Sequence, residues 1–405
     1  MTSTLTPTDL FHRTLDLVTE LTTISSASGD REGLDRAARC LGKALEARGL
    51  EVEIRPRPGN DGSDQPVLYA RSRRIHDRPL LFIGHLDTVL DAVEPERRDE
   101  RLLATGAIDM KGGLATLVGA LDVLEQRGHG AVDDLSIVVV PDEEVAGTLS
   151  MQVMKEEGPG ARGLWVLEPG QPGQEGETVV LGRRGMFHWH LDVVGRGAHA
   201  GNAYWQGRSA LLAAADWSLA TRALAGRGHG PTINAGRLVA GEESFVGDLA
   251  GSADLIGTTR QINVVPNRAL VEGEARFLDP AQGDQLPEAM AAEARRIAAE
   301  HDVEATFEFS PRIPPLDPNG PGRPLADRAV ALAQAAGWTL EVEEDRGGIS
   351  FPNFLPDPGA MPILDGLGPI GGGMHTRDEF LDLRSLDRRI TLLADLLAAD
   401  ADDRG

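Results

Sequence analysis

Leu80-Leu81-Phe82-Ile83-Gly84-His85-Leu86-Asp87 decides how the rest of this chain is read. An unbroken apolar run of this kind fits a strand covered on both faces, and it stops at a glycine. His85 and Asp87 then stand two residues apart, on one side of an extended chain. A carboxylate so placed can hold the second ring nitrogen of a histidine and fix the tautomer that binds a metal. The plain alternative is a surface histidine beside a solvated aspartate.

The same pattern recurs outward from this stretch. Strand-like runs lie at 51–57, 67–71, 135–140 and 164–167, and helical periodicity marks 7–24, 33–49 and 110–126. Apolar strands separated by helices predict an α/β fold with a mostly parallel or mixed sheet flanked by helices. The run 137–140 leads through Pro141 into Asp142-Glu143-Glu144. In an extended chain Glu143 and Glu144 point opposite ways, which suits one acid on a metal and one facing substrate as a general base; a charged loop fits as well. Leu164-Trp165-Val166-Leu167 ends in Glu168, and Gly371-Gly372-Gly373-Met374 delivers His375 on a flexible run. Asp109, set among Gly106, Ala107 and Ile108 before a helix, reads either as an N-cap or as a carboxylate bridging two ions. Open sheets bind ligands beyond the carboxyl ends of their strands. Two histidines and several carboxylates converging there suit a pair of Zn²⁺ ions, with Co²⁺ or Mn²⁺ as possible substitutes.

The texture changes after Gly182. Phe187, Trp189, Leu191 and Val193 alternate with His188 and His190, as in a half-exposed strand. Helices at 209–224 and 286–300 and strands at 232–239, 260–278 and 305–310 complete a compact α+β module. The expected organisation is therefore residues 1–183, an inserted domain at 184–311, and a return at 312–405. The Pro- and Gly-rich stretch 311–324 reads as a linker, with helices at 325–336 and 385–399 rejoining the first domain. Arg183 and Arg184, at the hinge, read as surface charges.

Composition narrows the function classes. The chain has 405 residues, 41% hydrophobic and 25% charged, enough for a core in each of two or three domains. Its 40 basic and 63 acidic residues leave a net charge of −23, which argues against nucleic-acid and anionic-membrane partners. Cys40 stands alone, so no intrachain disulfide forms, and its helical neighbours make it a small buried hydrophobe. The opening residues lack the basic and apolar regions of a signal peptide, so a cytoplasmic address is expected. Gly366, Gly368 and Gly371 match a dinucleotide fingerprint by letters only, because Pro369 prevents a helix from opening there. A Gly-x-Ser-x-Gly elbow is absent.

Taken in order, these five motifs resemble the zinc exopeptidase/deacylase family of glutamate carboxypeptidase, succinyl-diaminopimelate desuccinylase, acetylornithine deacetylase and aminoacylase-1. The likeness runs over nearly the whole chain. It implies that His85 and Glu168 bind one zinc, Glu144 and His375 the other, and that Asp109 bridges them. It implies Asp87 as the residue orienting His85 and Glu143 as the general base. The module at 184–311 resembles the family's dimerisation or lid domain. There Gly197-Ala198-His199-Ala200-Gly201 matches the segment whose histidine assists the oxyanion in the partner subunit's site. Asn263 and Arg276 match positions that bind the substrate's carboxylate. Glu168, with the close of 364–375, is most like the glutamate-carboxypeptidase branch. Ala104-Thr105-Gly106, Val145-Ala146-Gly147 and Ser350-Phe351-Pro352-Asn353-Phe354 depart from the family's usual letters, the last close to where substrate selectivity is set. The resemblance thus implies a homodimeric metallopeptidase or amidohydrolase with two Zn²⁺ per subunit, cleaving an amide or peptide bond beside a free carboxylate in a small or dipeptide-like substrate. A deacylase or desuccinylase acting on a biosynthetic intermediate is the alternative, and a non-catalytic metal-binding scaffold a more remote one.

Overall fold

The computed structural model describes residues 6–59, 61–129, 132–145, 147–249 and 264–403. It divides into a unit formed by Met1–Arg183 with Leu316–Gly405 and a second unit, Arg184–Pro315.

The first unit is built on a six-stranded sheet. Its order is Glu51–Pro58, Asp64–Arg71, Leu135–Val140, Leu80–His85, Gly163–Val166 and Ile363–Leu364. Leu80–His85 and Leu135–Val140 are buried along their whole length, as their unbroken apolar sequences require. Leu80–His85 runs parallel to both its neighbours, and Ile363–Leu364 runs parallel to Gly163–Val166. Glu51–Pro58 and Asp64–Arg71 pair antiparallel with each other, and the latter pairs antiparallel with Leu135–Val140. The sheet is accordingly mixed, one of the two arrangements expected from the sequence. Only a short loop joins the first two strands, and a parallel return would need a crossover connection.

Helix Gly112–Gln126 is buried from Gly112 to Leu124 and packs against Pro7–Thr23 and Leu383–Asp402. A helix apolar on every side belongs inside. Its close seat on the sheet depends on Gly113, where a Cβ would lie 2.0 Å from the carbonyl oxygen of Leu167. The stretch expected as a loose linker is partly anchored. Leu316 and Arg183 exchange backbone hydrogen bonds of 2.9 and 3.0 Å, and a helix begins at Arg323.

The second unit is a four-stranded antiparallel sheet ordered Thr232–Gly241, Arg268–Phe277, Gly185–Val194 and Glu304–Phe309. Phe187, Trp189, Leu191 and Val193 share its core with Trp217, Met290, Ala294 and Ile297 from helices Ala210–Arg222 and Pro280–His301. His188 and His190 point the other way, as period-two alternation demands. The strand expected over 260–278 begins at Arg268 within the described residues.

Arg183 and Arg184 are buried, contrary to the expectation of surface charges. Arg183 pairs with Asp365 and donates to the Gly348 carbonyl at 3.0 Å. Arg184 donates to the carbonyls of Gly228 and Gly230, both at 2.8 Å. A guanidinium can be buried when its fork is met by acceptors in this way. Among the described residues, no helix is long and apolar enough to cross a membrane.

Candidate metal centre

Three neighbouring strands deliver their carboxyl ends to one place in the first unit. Leu80–His85 ends on His85, Leu135–Val140 leads into Glu143 and Glu144, and Gly163–Val166 leads into Glu168. Asp109 arrives from the turn before helix Gly112–Gln126, where Gly106 adopts φ +73° and the Asp109–Met110 peptide is cis. His375 comes from a loop after Gly373 and is itself left-handed, φ +62°.

The side chains meet in two groups that share Asp109. His85 Nε2 lies 3.1 Å from Asp109 Oδ1 and 3.8 Å from Glu168 Oε1. His375 Nε2 lies 3.3 Å from Asp109 Oδ2 and 3.0 Å from Glu144 Oε2. Within each group the candidate ligand atoms fall within 4.8 Å of one another. Asp109 does not cap the helix that follows: its φ and ψ are −118° and 91°, and its carboxylate faces the two histidines.

Asp87 is fully buried and does more than its spacing suggests. Its backbone carbonyl lies 2.9 Å from His85 Nδ1, so that nitrogen carries the proton and Nε2 is left to face the carboxylates. Its own carboxylate lies 3.4 Å from His85 Nδ1, accepts the Ser28 hydroxyl at 2.8 Å, and accepts the peptide N–H groups of Glu143 and Glu144, each at 3.1 Å. One residue therefore aligns a histidine and the acidic pair. Asp142, the third acid of that run, instead caps helix Thr148–Glu157 through the N–H groups of Leu149 and Ser150.

Electrostatics follow from packing several carboxylates together. Burial, reinforced by Asp109 and Asp87, pushes Glu143 up to about 7 against the pull of His85 and Arg183. Burial and the charges of Asp109 and Glu143 push Glu144 up to about 8, with His85 and His375 opposing. Burial likewise raises Glu168 well above the usual carboxylate range. For Asp109 burial acts upward, but hydrogen bonds from His375 and His85 outweigh it and hold the group low. The hydrogen bond to Asp109, with the nearby Glu144, raises His375 to about 9. Glu144, Glu168 and His375 thus hold protons where cations could take their place. The donors are nitrogen and oxygen only, a set that fits Zn²⁺, Co²⁺ or Mn²⁺.

The sequence did not reveal Glu379 or Arg183 as parts of this neighbourhood, whereas the segment starting at Ser350 was expected near the substrate. Glu379 receives three backbone N–H groups around Asp109, yet in sequence it ends the charged run Arg377-Asp378-Glu379, which looks solvated. Ser350 Oγ lies 3.4 Å from Glu168 Oε1, and its backbone is fixed by Asn353.

His199 and Arg276 belong to the second unit, and Asn263 lies outside the described residues. His199 is exposed, and its Nδ1 accepts the N–H groups of Gly201 and Asn202, both at 3.1 Å. That leaves the ring proton on Nε2, facing outward as a donor. Arg276 forks onto Glu274, with Nε–Oε1 at 2.9 Å and the second contact at 3.1 Å.

A family model described as peptidase family M20/M25/M40 matches residues 81–399. The chain belongs to this family. The M20 chain is 26% identical over 386 residues to carboxypeptidase G2 of a Pseudomonas species, covering 93% of this chain and 87% of that one. It is 30% identical over 373 residues to succinyl-diaminopimelate desuccinylase of Granulibacter bethesdensis, covering 87% and 90%. In fold it is similar to a dinuclear metal-binding M20 peptidase of Bacillus subtilis, with a TM-score of 0.65, 18% identity, and coverage of 97% and 99%. The protein is thus a hydrolase of the M20 metallopeptidase kind, with a mixed α/β fold and a metal-dependent chemistry.

Proposed function

We propose that this M20 hydrolase cleaves an amide or peptide bond next to a free carboxylate, in the manner of a glutamate carboxypeptidase, and holds two Zn²⁺ per subunit. The observation that carries the reading is the double cluster on Asp109, with His85 and Glu168 to one side and Glu144 and His375 to the other. Bound there, the ions would supply acidification of a water and polarisation of the scissile carbonyl. Glu143 accepts the proton of the attacking water and passes it to the leaving amine. Burial raises this carboxylate, the direction that suits a group taking up and passing on a proton near neutral pH. Asp87 holds His85 and the Glu143–Glu144 backbone in register, so the base and the ligands cannot drift apart. His199, offered by a second copy of the chain, donates its Nε2 proton to the developing oxyanion. Asn263 and Arg276 bind the substrate's carboxylate, for which the planar guanidinium of Arg276 is a matching donor once it exchanges Glu274, its partner in this structure, for the substrate.

The second unit, in this reading, is a lid and dimerisation domain. Leu211, Leu212 and Leu219 on helix Ala210–Arg222 and Leu238 on the edge strand Thr232–Gly241 are exposed. An apolar surface of that kind is suited to a homodimer contact. The enzyme would work in the cytoplasm.

The desuccinylase relative, at 30% identity, favours a second reading: an N-acyl-amino-acid deacylase serving biosynthesis. A panel of N-acyl-glutamates, dipeptides and N-succinyl amino acids separates the two by which side of the bond is recognised. Metal-stripped protein and Glu143→Ala should both lose nearly all turnover. Full activity in either would overturn the mechanism.

A further inference from the structure

Glu379 is 4% exposed and lies four positions beyond His375. Its Oε2 accepts the N–H of Gly106 at 2.8 Å, and its Oε1 accepts those of Ile108 and Asp109 at 3.0 and 3.1 Å. Its backbone carbonyl accepts the N–H of Ala104 at 3.1 Å. The turn around Asp109 has no side-chain cap of its own at Gly106, so a distant carboxylate fills that place. Directly after Glu379, strand Phe380–Asp382 pairs with Arg101–Leu103, just before the same turn. His375 and Asp109 thus reach each other, 3.3 Å apart, from two segments clamped together at Glu379.

We infer that Glu379 is a positioning residue for the metal ion held by Asp109, Glu144 and His375, setting the distance between the His375 loop and the Asp109 turn. The inference rests on the two-ion reading given above. Three peptide N–H groups on one carboxylate make charge-assisted bonds, stronger than neutral ones. Glutamine has nearly the same shape, but its amide nitrogen would face an N–H group as donor against donor, at Gly106 on one side or at Ile108 and Asp109 on the other. The His375 loop would then shift relative to the Asp109 turn, which His85 still holds at 3.1 Å. Residues that orient metal ligands from behind typically contribute about 10–100-fold to metal affinity.

The test is a titration of the metal-free full-length protein with Zn²⁺ by calorimetry and with Co²⁺ by visible absorption, for wild type and Glu379→Gln. Wild type is expected to take up two ions. The variant is expected to bind one with near-normal affinity and the other about 10–100-fold more weakly, with a changed Co²⁺ spectrum for the weakened ion. A general loss of fold would not discriminate between the two ions. Two ions bound by the variant with wild-type affinities and spectra would overturn the inference and leave the two-ion reading standing. Fewer than two ions in wild type would remove both. Should Glu379→Gln fail to fold, Glu379→Asp, which keeps the charge and shortens the reach by one methylene, is read in the same way. Selective weakening supports the inference and unchanged binding overturns it.

Discussion

Replacing Asp87 by asparagine removes one charge and almost no volume from a fully buried position. The wild-type carboxylate accepts Glu143 N–H on Oδ1, and Glu144 N–H and the Ser28 hydroxyl on Oδ2. In either orientation the amide nitrogen of asparagine faces a peptide N–H. Ser28 can rotate its hydroxyl to accept, but the peptide group cannot. At least one half-buried N–H is left unpaired, which costs about 1 kcal/mol of stability, the low end for an unsatisfied group. The same change removes a negative charge 3.4 Å from His85 Nδ1, so the ring supports a cation on Nε2 less well. Loss of such support should weaken metal binding by about 10–100-fold. Urea unfolding of metal-free protein reads the first effect, and Zn²⁺ titration of the folded protein reads the second. An Asp87→Asn protein with unchanged midpoint and unchanged affinity would refute the claim that this one carboxylate aligns both the histidine and the acidic pair.

Metal binding should release protons at pH 7. Glu144 is raised to about 8 and His375 to about 9, whereas both must be deprotonated to act as ligands. Affinity should therefore climb between about pH 6 and 9; calorimetry in buffers of different ionisation enthalpy, showing no proton release, would contradict this. Cys40 is half-buried against the core rather than fully buried as expected, and burial pushes its thiol up to about 12; it should therefore react slowly with iodoacetamide at pH 8 until the protein unfolds, and alkylation of native protein as fast as of unfolded protein would contradict this. If the chain forms the homodimer proposed above, the double variant Leu212→Glu with Leu219→Glu should be monomeric in light scattering after size exclusion where the wild type is dimeric, since each leucine is exposed on one helix of the second unit. Persistence of the dimer would move the contact elsewhere.

The strand ends at His85, Glu144 and Glu168 were legible because each rests on a local signal: a continuous apolar run followed by a polar ligand type. The alternation through Phe187, Trp189, Leu191 and Val193 was legible for the same reason, since a period of two survives whatever lies around it. Long-range partnerships left no such mark. Arg183 looked solvated because its acceptors, Asp365 and the Gly348 carbonyl, are far along the chain. Glu379 hid in a charged run because the donors that justify its burial are backbone groups some 270 residues earlier. Which of the two expected sheet arrangements holds was not legible, because the direction of the first pairing is set by the short connection between Glu51–Pro58 and Asp64–Arg71.

Asp109 turns one oxygen to His85 and the other to His375. A designer who wants a one-metal version of this enzyme therefore gains nothing by altering that aspartate, since both occupancies would fall together. In the proposed two-ion centre, the separable handles are the ligands each ion would not share. Changing Glu168 or His375 alone should strip a single cation and leave its neighbour seated, turning a paired centre into a solitary one whose remaining reactivity can be measured by itself.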